Sequence, residues 1–296
     1  MGSLKEIKSR IASVHSTQKI TSAMRMVASA KLHRTQTLTQ NFLRYSSALQ
    51  SITEQLGYKM QEEDKADSIV LIPISSSSGL CGSFNSNIAK ATVSRLEDYR
   101  EKNVNVLVMP VGKKIIKEIG KLSKVPSDTT FGNINELVEK GDVFAAIQSL
   151  ISTLQQMYAD GKIQKAEVIY HHFVSMGKQV IETKSLPLAP PNAAKNETGD
   201  SETSGISATA TQTDFITEPS GVELLQILHP RMLNADMYGL LLDAIASEHA
   251  ARMMAMQTAD DNANELMQEL TLLYNKTRQQ DITNELIDIM GGKVAQ

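Results

Sequence analysis

Two long stretches without helix breakers lie at opposite ends of the chain. Ser3 to Leu56 and Leu240 to Met290 contain neither glycine nor proline. Almost every residue in them favours or tolerates a helix, so nothing in either stretch ends a helix once it has begun. The second stretch alone would form a rod of roughly 75 Å. We therefore predict two long helices, one from each end of the chain, that pack against each other.

The hydrophobic spacing of the first stretch is typical of a coiled coil. Apolar residues alternate steps of three and four at Leu4, Ile7, Ile11 and Val14. This heptad spacing predicts a seam against another helix.

Further along the same stretch the strict heptad pattern meets polar residues. It reaches Gln18, Thr21 and Arg25. Apolar residues recur instead at Ile20, Met24 and Val27. The sequence therefore predicts a slip of the seam near residues 15–20, which is a local change of supercoil and not the end of the helix.

The second stretch has one polar interruption. Its predicted apolar face consists of Ala259, Ala263, Leu266, Leu270 and Leu273. Residues 275–281 contain no apolar side chain, and the apolar pattern resumes at Ile282, Leu286 and Ile289. A helix that is polar all round cannot be buried in an ordinary core. The interruption is therefore either a solvent-exposed tip or a polar contact site for a partner.

Between the two rods the pattern changes to short strands. Residues 68–74 and 104–109 are rich in apolar and β-branched residues, which is typical of buried strands, and the first is expected to be buried on both faces. Helices are predicted at residues 87–101, 113–119 and 136–158. Residues 166–174 and 179–183 form a predicted hairpin across Met176-Gly177. This order predicts an α/β unit with a partly parallel sheet.

The predicted fold is therefore an α/β protein with a long α-helical coiled coil. It has four parts: the first long helix at 1–60, an inserted Rossmann-like α/β domain at 66–186, a flexible linker at 187–220, and the second long helix at 221–296. The linker is rich in Pro, Ala, Ser, Thr, Gly and acidic residues. His229-Pro230 predicts a kink in the second helix.

Charge separates the two ends. Residues 1–45 carry eight basic side chains and a single acid, Glu6, whereas Leu240 to Met290 carry nine acids and three basic residues. This complementarity favours pairing of the two helices. Aromatic residues are few and arginines are not clustered, so nucleic acid is not an expected partner. No apolar run approaches the roughly 18 residues that span a bilayer, and no signal-peptide core is present, so membrane insertion is not expected.

Two features of the middle region are candidates for chemistry. The loop Gly79-Leu-Cys-Gly82 follows a buried strand, where doubly wound sheets bind nucleotides. It lacks both the GxGxxG pattern and a phosphate-binding lysine, so a tight structural turn built on Gly79, Cys81 and Gly82 is the favoured interpretation and no cofactor is expected. Cys81, the single cysteine, could alternatively act as a nucleophile with His171 or His172 as base, although no third group that would orient the base is evident. A single cysteine excludes an internal disulfide and suits a reducing cytoplasm.

Three groups of motifs resemble the gamma subunit of F-type ATP synthases. The N-terminal signature is similar at 17–21, 23–28 and 30–32, the loop at 79–82 with 84–87, and the C-terminal signature at 247–256, 261–263, 270–271, 274–276, 278–279, 282–283, Glu285 and 291–292. The family's Asp-Arg before the loop is replaced here by Ser77 and Ser78, and its following glycine by Ser83. Together the motifs span essentially the whole chain except residues 187–213.

The resemblance implies a rotor shaft that makes and breaks no bonds itself. The terminal helices would form an antiparallel, left-handed coiled coil whose tip lies inside a ring of alternating alpha and beta subunits. Its base would rest on the membrane ring of c subunits with the epsilon subunit alongside, at the cytoplasmic face of the bacterial inner membrane. A nucleotide-dependent enzyme built on the α/β domain and a non-rotary coiled-coil adapter are the competing hypotheses.

The same resemblance implies which residues touch the beta subunits. By the family motifs, Met24 and Arg25 meet acidic loops of beta, and Arg278 and Gln279 meet a second beta loop. Three further residues match positions that help to set the coupling between rotation and the conformational cycle of the beta subunits: Thr283, Glu285 and Asp288. No catalytic, cofactor-binding or metal-binding residue is expected on the chain.

Overall fold

The computed structural model of the protein describes residues 4–56, 66–116, 142–189 and 221–294, without the side chains of residues 221, 222 and 291–294. The elements in chain order are α1 (Leu4–Gln55), β1 (Ser68–Pro73), α2 (Phe84–Glu101), β2 (Asn105–Val108), α3 (Val143–Ala159), β3 (Lys165–Ser175), β4 (Lys178–Leu186) and α4 (Gly221–Val294). Most of the predicted linker, the start of the helix predicted at 136–158 and the end of the helix predicted at 113–119 lie outside the described residues.

The second long helix is longer than the unbroken stretch that predicted it. α4 begins at Gly221 and contains 74 residues, with Pro230 inside it, which corresponds to about 110 Å of helix. Proline removes one backbone hydrogen bond from a helix interior. Packing maintains the helix here, since Leu233 and Met237 on the next turns are fully buried. Next to the proline, His229 Nε2 donates to the Pro187 carbonyl oxygen at 2.8 Å.

The four strands form one mixed sheet in the order β2-β1-β3-β4. β1 runs parallel to both β2 and β3, with Val70 paired to Leu107 and Leu71 to Glu167. β3 and β4 form the predicted antiparallel hairpin, with a register irregularity between Phe173 and Ser175. The predicted α/β class with a partly parallel sheet is therefore confirmed.

The apolar run of β1 is buried on both faces, as predicted. Val70, Ile72 and Ile74 belong to a core that α3 and α4 complete, whereas Ile69 and Leu71 face the core formed with α2. Alternate residues of a strand point to opposite faces of the sheet, so a strand covered on both sides has no polar position.

The chain divides into two compact units. The shaft unit comprises residues 1–32, 80–82 and 249–296, and the α/β unit comprises residues 33–79 and 83–248. Each long helix therefore contributes to both units. The ranges 1–60, 66–186, 187–220 and 221–296 stay a prediction. None of the helices in the described part of the chain is both long and apolar enough to cross a bilayer.

The predicted slip of the α1 seam is wrong. Within the shaft unit the strict heptad positions of α1 are all buried or half-buried: Leu4, Ile7, Ile11, Val14, Gln18, Thr21, Arg25, Ala28 and Leu32. Ile20 and Val27, which the prediction placed in the seam, are 58% and 56% exposed. The polar seam residues stay inside because polar groups of α4 face them, and a count of apolar residues on one helix cannot detect this.

The predicted apolar face of α4 is also wrong in part. Leu266 and Leu273 are largely exposed, whereas Ala263 is buried and Leu270 is half-buried. The buried and half-buried face follows a strict heptad through Met253, Met256, Asp260, Ala263, Met267, Leu270, Tyr274 and Thr277. A period of 3.5 residues brings Asp260, Met267 and Tyr274 inward where the prediction had Ala259, Leu266 and Leu273.

Candidate functional site

The contacts between the two helices of the shaft unit are polar where the apolar pattern of α1 fails. Gln18 Nε2 donates to Asn264 Oδ1 at 2.6 Å. Seven residues further along α1, the Arg25 guanidinium donates to Gln257 Oε1 and lies 3.9 Å from Asp260 Oδ2. The side chains of Arg25 and Asp260 are only 34% and 13% exposed. The Arg25 pairs are partly buried, and buried polar groups are tolerated when they are paired, whereas the Gln18–Asn264 hydrogen bond lies at the exposed edge of the seam.

Met24 and Arg25, the predicted contact residues of α1, lie at the edge of this seam. Both are half-buried. A guanidinium has five N–H donors, and the hydrogen bond to Gln257 uses one of them. Arg25 can therefore hold α4 and still offer donors on its exposed side. Its contact with a beta subunit stays a prediction.

The end of α4 is exposed on every side. All ten side chains from residue 281 to residue 290 are exposed. Five of them are large and apolar: Ile282, Leu286, Ile287, Ile289 and Met290. An exposed apolar surface of this size on a single helix is typical of a contact surface.

The predicted contact residues of α4 lie on this part of the helix or one turn before it. All five are exposed: Arg278, Gln279, Thr283, Glu285 and Asp288. The Thr283 hydroxyl donates to the Gln279 carbonyl oxygen one turn earlier, at 2.8 Å, so it is bonded to its own helix. The structure thus brings these residues together on one helix end, away from Met24 and Arg25 along the shaft.

The Gly79–Gly82 loop forms a tight turn that rests on α4. Leu80 and Gly82 have left-handed backbones, with φ of +63° and +60°, and glycine adopts this conformation without steric cost. A Cβ built at Gly82 would lie 3.8 Å from the Ala255 Cβ. The side chain of Cys81 between them is buried. The turn places its backbone against the helix and not around an open pocket.

The serines before this loop use their polar groups for the fold. The Ser76 N–H donates to Asn85 Oδ1 at 3.0 Å, and the Ser76 carbonyl oxygen accepts from the Lys114 N–H at 3.2 Å. Ser75 Oγ accepts from the Ile115 N–H. A nucleotide-binding loop would instead direct its N–H groups toward phosphate. Nor does any cluster of three or more His, Cys, Asp and Glu side chains in the described ranges fit a metal ion.

The two adjacent histidines of β3 are engaged in different contacts on opposite faces. His171 is buried, stacks on the Phe84 ring with centroids 4.3 Å apart and donates from Nε2 to the Phe84 carbonyl oxygen at 3.0 Å. His172 Nδ1 lies 2.5 Å from Asp243 Oδ2. Asp243 Oδ1 also accepts from the Phe173 N–H at the irregularity of the hairpin. Both rings therefore tie β3 to its neighbours, and the nucleophile hypothesis gains no support from their geometry.

The two histidines are expected to change stability with pH in opposite directions. Burial lowers the pKa of His171, and its hydrogen bond to Phe84 offsets only part of this effect. Its contribution to stability is therefore complete above the ordinary pKa near 6.5 and is lost as the pH falls below it. The hydrogen bond with Asp243 raises the pKa of His172, so its contribution is complete at low pH and is lost as the pH rises through the raised pKa.

We expect His171→Gln to lose less stability than the wild type between pH 7 and pH 5, and His172→Gln to lose more. Urea unfolding of the full chain at both pH values measures this difference. A change of the same sign in both variants would contradict the assignment.

Sequence reasoning missed the α4 side of the seam. Gln257, Asp260 and Asn264 were not singled out, because a helix interior rich in polar residues resembles a solvated face. The available signal was the heptad itself. Extended strictly through Gln18 and Arg25, it places polar residues of one helix opposite polar residues of the other.

Comparison with known proteins places the whole chain in one family. The family model described as ATP synthase matches residues 3–295. The ATP synthase gamma chain of Parabacteroides distasonis is 46% identical over 300 residues, which cover 99% of this chain and 98% of the relative. The ATP synthase gamma chain of Bacteroides fragilis is 43% identical over 304 residues, which cover 100% of both chains.

Solved structures show the same fold at low sequence identity. A chain from the mitochondrial ATP synthase of Euglena gracilis, in an assembly of OSCP, F1 and c-ring, matches with a TM-score of 0.66 and 19% identity, covering 99% of this chain and 94% of that one. A chain of the central stalk and c-ring of the Tetrahymena thermophila mitochondrial ATP synthase matches with a TM-score of 0.56 and 22% identity, covering 81% and 99%.

Proposed function

Because the chain belongs to the ATP synthase gamma-chain family, whose members are non-catalytic central-stalk subunits of the F-type complex, we propose that it is the shaft of a proton-transporting ATP synthase. It turns inside a ring of alternating alpha and beta subunits. Rotation of the membrane ring of c subunits drives it, with the epsilon subunit alongside. Its turning moves each beta subunit through its conformations in sequence.

The exposed end of α4 is the observation that supports this proposal most directly. The helix continues from residue 281 to residue 290 with every side chain exposed. A helix end with this much apolar surface needs a partner in water. The inner surface of a ring of subunits supplies such a partner without fixing the helix at one angle.

The polar turns before that end fit a bearing that must form and break contacts repeatedly. Residues 275–281 carry no apolar side chain, and hydrogen bonds at an exposed surface contribute little net stability. Arg278 and Gln279 would make such contacts with one beta loop, with Thr283, Glu285 and Asp288 near them. Met24 and Arg25 would meet acidic loops of beta at a second level of the shaft.

We assign the subunit to the cytoplasmic face of the bacterial inner membrane, attached through the c ring and not inserted. Membership of the family argues against both alternatives, a nucleotide-dependent enzyme and a non-rotary adapter. An open cleft of about 370 Å³ lies beside α3 and α4. Its lining includes Ser149, Ser152, Gln155 and Asn234, and no charged residue that could bind a phosphate.

Reconstitution tests the proposal against both alternatives. The cognate alpha and beta subunits are assembled with and without this chain, and ATP hydrolysis is measured. Hydrolysis by the assembled complex should depend on the chain, while the purified chain alone should neither bind nor hydrolyse ATP. Equal hydrolysis with the chain left out would refute the rotor role, and turnover by the chain alone would favour the enzyme.

Removing the polar contacts of the α4 end is expected to weaken coupling without preventing assembly. In the variant Arg278→Ala with Gln279→Ala, ATP-driven proton pumping per ATP hydrolysed should fall by about fivefold, the lower end of typical coupling between sites. Assembly should be preserved, because both side chains are exposed in the free chain and are not part of its core. Pumping and hydrolysis are measured in membrane vesicles.

A matched control is Glu265→Ala with Glu269→Ala, two exposed positions earlier on the same helix. This control should keep normal coupling. Normal pumping by the Arg278 and Gln279 variant would count against the assignment of these residues to the bearing.

A further inference from the structure

α1 buries its polar side and exposes an apolar one over its middle turns. Gln18, Thr21 and Arg25 lie in the seam, half-buried. The same turns also carry an apolar stripe that could be buried in the seam instead. This outer stripe has its own three- and four-residue spacing, and all of its residues are exposed: Ile20, Ala23, Val27 and Ala30. Burial of apolar surface is the dominant driving force for helix pairing, so the observed orientation needs a specific cause.

The two orientations differ by a rotation of α1 about its own axis. Successive residues of a helix are about 100° apart, so burying Ile20 in place of Thr21 requires a turn of about 100°. α1 begins at Leu4, and the paired segment of α1 in the shaft unit ends at residue 32. The segment from Leu4 onward could therefore roll through a local change of supercoil, as stutters do in coiled coils.

Polar groups of α4 favour the observed orientation. Asn264 accepts from Gln18 at 2.6 Å, and Gln257 accepts from Arg25. Asp260 supplies a carboxylate 3.9 Å from Arg25, and its Oδ1 is buried without a hydrogen-bond partner in the part of the chain that is described. Turning Val27 inward would leave the carboxylate of Asp260 facing apolar side chains, and an uncompensated buried charge is strongly unfavourable.

The methionines in the α4 seam do little to favour one orientation of α1 over the other. Met253, Met256 and Met267 occupy the heptad positions on either side of Asp260. Methionine is flexible and packs against differently shaped partners, so these positions would accept either face of α1. Selection of the orientation therefore depends on the polar pairs. Buried polar residues in coiled coils specify one alignment in the same way, at some expense in stability.

We propose that Gln257, Asp260 and Asn264 of α4 set the rotational orientation of α1 through Gln18 and Arg25, and thereby hold the outer stripe on the surface of the shaft. These five residues are positioning residues. This inference rests on the proposed function, in which the outer stripe is the face that α1 turns toward the surrounding ring.

Cysteine labelling of the full chain tests the orientation directly. In a Cys81→Ser background, Val27→Cys reports the outer stripe and Thr21→Cys reports the seam. With the native α4, the thiol at position 27 should react with a maleimide faster than the thiol at position 21. The α4 variant Gln257→Met, Asp260→Met, Asn264→Met leaves the sequence of α1 otherwise unchanged. In this α4 variant, the ratio of the labelling rate at position 27 to the rate at position 21 should fall by about tenfold. This fall corresponds to a change of about 1.4 kcal/mol in the free-energy difference between the two orientations.

The two reporters separate an orientation change from simple loosening. Loosening would raise both rates, whereas rotation lowers the rate at residue 27 and raises the rate at residue 21. A rescue variant adds Gln18→Met and Arg25→Met to the α4 variant, which makes the seam apolar on both helices and should restore the original ratio. The control Glu265→Met with Glu269→Met, at exposed positions of α4, should leave it unchanged. An unchanged ratio in the α4 variant, or a rise in both rates, would overturn the proposal.

The assembled complex supplies a second measurement. In vesicles, the α4 variant should lose proton pumping per ATP hydrolysed by about fivefold. If the wild-type chain fails to support hydrolysis at all, the proposed function fails while the labelling result stands. If coupling is normal in the α4 variant although the labelling ratio has changed, α1 rotates as inferred but the outer stripe does not contact the ring, which overturns that part of the proposal.

Discussion

Gly112→Ala is expected to unfold the α/β unit under conditions in which the wild type is stable. Gly112 has φ of +102°, and a Cβ there would lie 2.3 Å from the carbonyl oxygen of Ser75 and 2.5 Å from its hydroxyl. Real Cβ atoms do not approach backbone oxygen so closely, so the chain must move at the end of β1. We expect a loss of about 4 kcal/mol or more, which is exceptional for a single substitution and a large share of the stability of an ordinary domain.

Relaxing the clash would break contacts that join three segments. The Ser75 N–H donates to the Val111 carbonyl oxygen at 2.8 Å, and the Ile115 N–H donates to Ser75 Oγ at 3.2 Å. Ile74 and Val111 also extend the parallel pairing of β1 and β2. Moving Gly112 away from Ser75 therefore detaches the end of β2 from the central strand of the sheet.

Gly161→Ala is the matched control for this prediction. Gly161 also has positive φ, +70°, but a Cβ there would meet nothing within 4 Å. Its expected cost is the backbone strain alone, about 1 kcal/mol. Urea unfolding of the full chain, followed by circular dichroism, compares the two variants. Equal losses would show that the conformation of Gly112 matters and its closeness to Ser75 does not.

Local patterns were sufficient to predict the α/β unit. The run at 68–74 contains no polar interior position, so only a strand covered on both faces could accommodate it. The Met176-Gly177 turn between two strand-like runs predicted the hairpin. Both signals are confined to a few adjacent residues, and the structure confirms both.

The seam between the long helices could not be predicted in the same way. Whether Arg25 lies inside depends on Gln257 and Asp260, more than 230 residues away along the chain. Judged alone, α1 has a more apolar stripe through Ile20 and Val27, and the hydrophobic pattern favours that stripe. The positions of Arg278 and Gln279 were easier to predict, because a helix polar on all sides can only be exposed or in contact with a partner.

The sequence marked Gly112 as a residue that ends a strand but did not reveal its close approach to Ser75, and Glu167 was not recognised as a buried charge. Glu167 interrupts the apolar run of β3 and resembles an outward-facing strand residue, yet it is almost completely buried. The residues that compensate it are an arginine and a tyrosine on α2 and a lysine on β3 itself. An isolated charge inside a predicted buried strand is the signal that should have prompted a search for partners.

Arg95→Met is expected to destabilise the α/β unit strongly by stranding the Glu167 carboxylate. Arg95 Nε and Nη2 each donate to this carboxylate at 3.0 Å, and Tyr99 and Lys165 donate at 2.7 Å and 3.1 Å. The Glu167 side chain is only 2% exposed. Removing one partner of a buried ion pair costs about 3 kcal/mol at the lower end of measured cases. The lower end applies here because Lys165 remains and Arg95 is one-third exposed.

The pH dependence identifies the cause of that loss. Burial alone would raise the pKa of Glu167, but the hydrogen bonds from Arg95, Tyr99 and Lys165 outweigh it and hold the pKa below its ordinary value. In the wild type this residue therefore contributes stability above the ordinary pKa near 4.3 and loses it as the pH falls. Without Arg95, one of the three hydrogen-bonding partners that lower the pKa is lost, so we expect the pKa of Glu167 to move upward and its neutral form to become less unfavourable. The gap between variant and wild type should narrow as the pH falls from 7 to 4.5.

Arg95→Met with Glu167→Met is the decisive comparison. Replacing a buried ion pair by apolar side chains of similar size is often neutral, so the double variant should recover most of the stability that the single variant loses. Urea unfolding of the wild type, both single variants and the double variant gives the coupling energy between the two positions. If the double variant is as unstable as Arg95→Met, the loss comes from missing packing over the Tyr99 ring, where the guanidinium carbon lies 4.7 Å from the centroid, and not from the uncompensated charge.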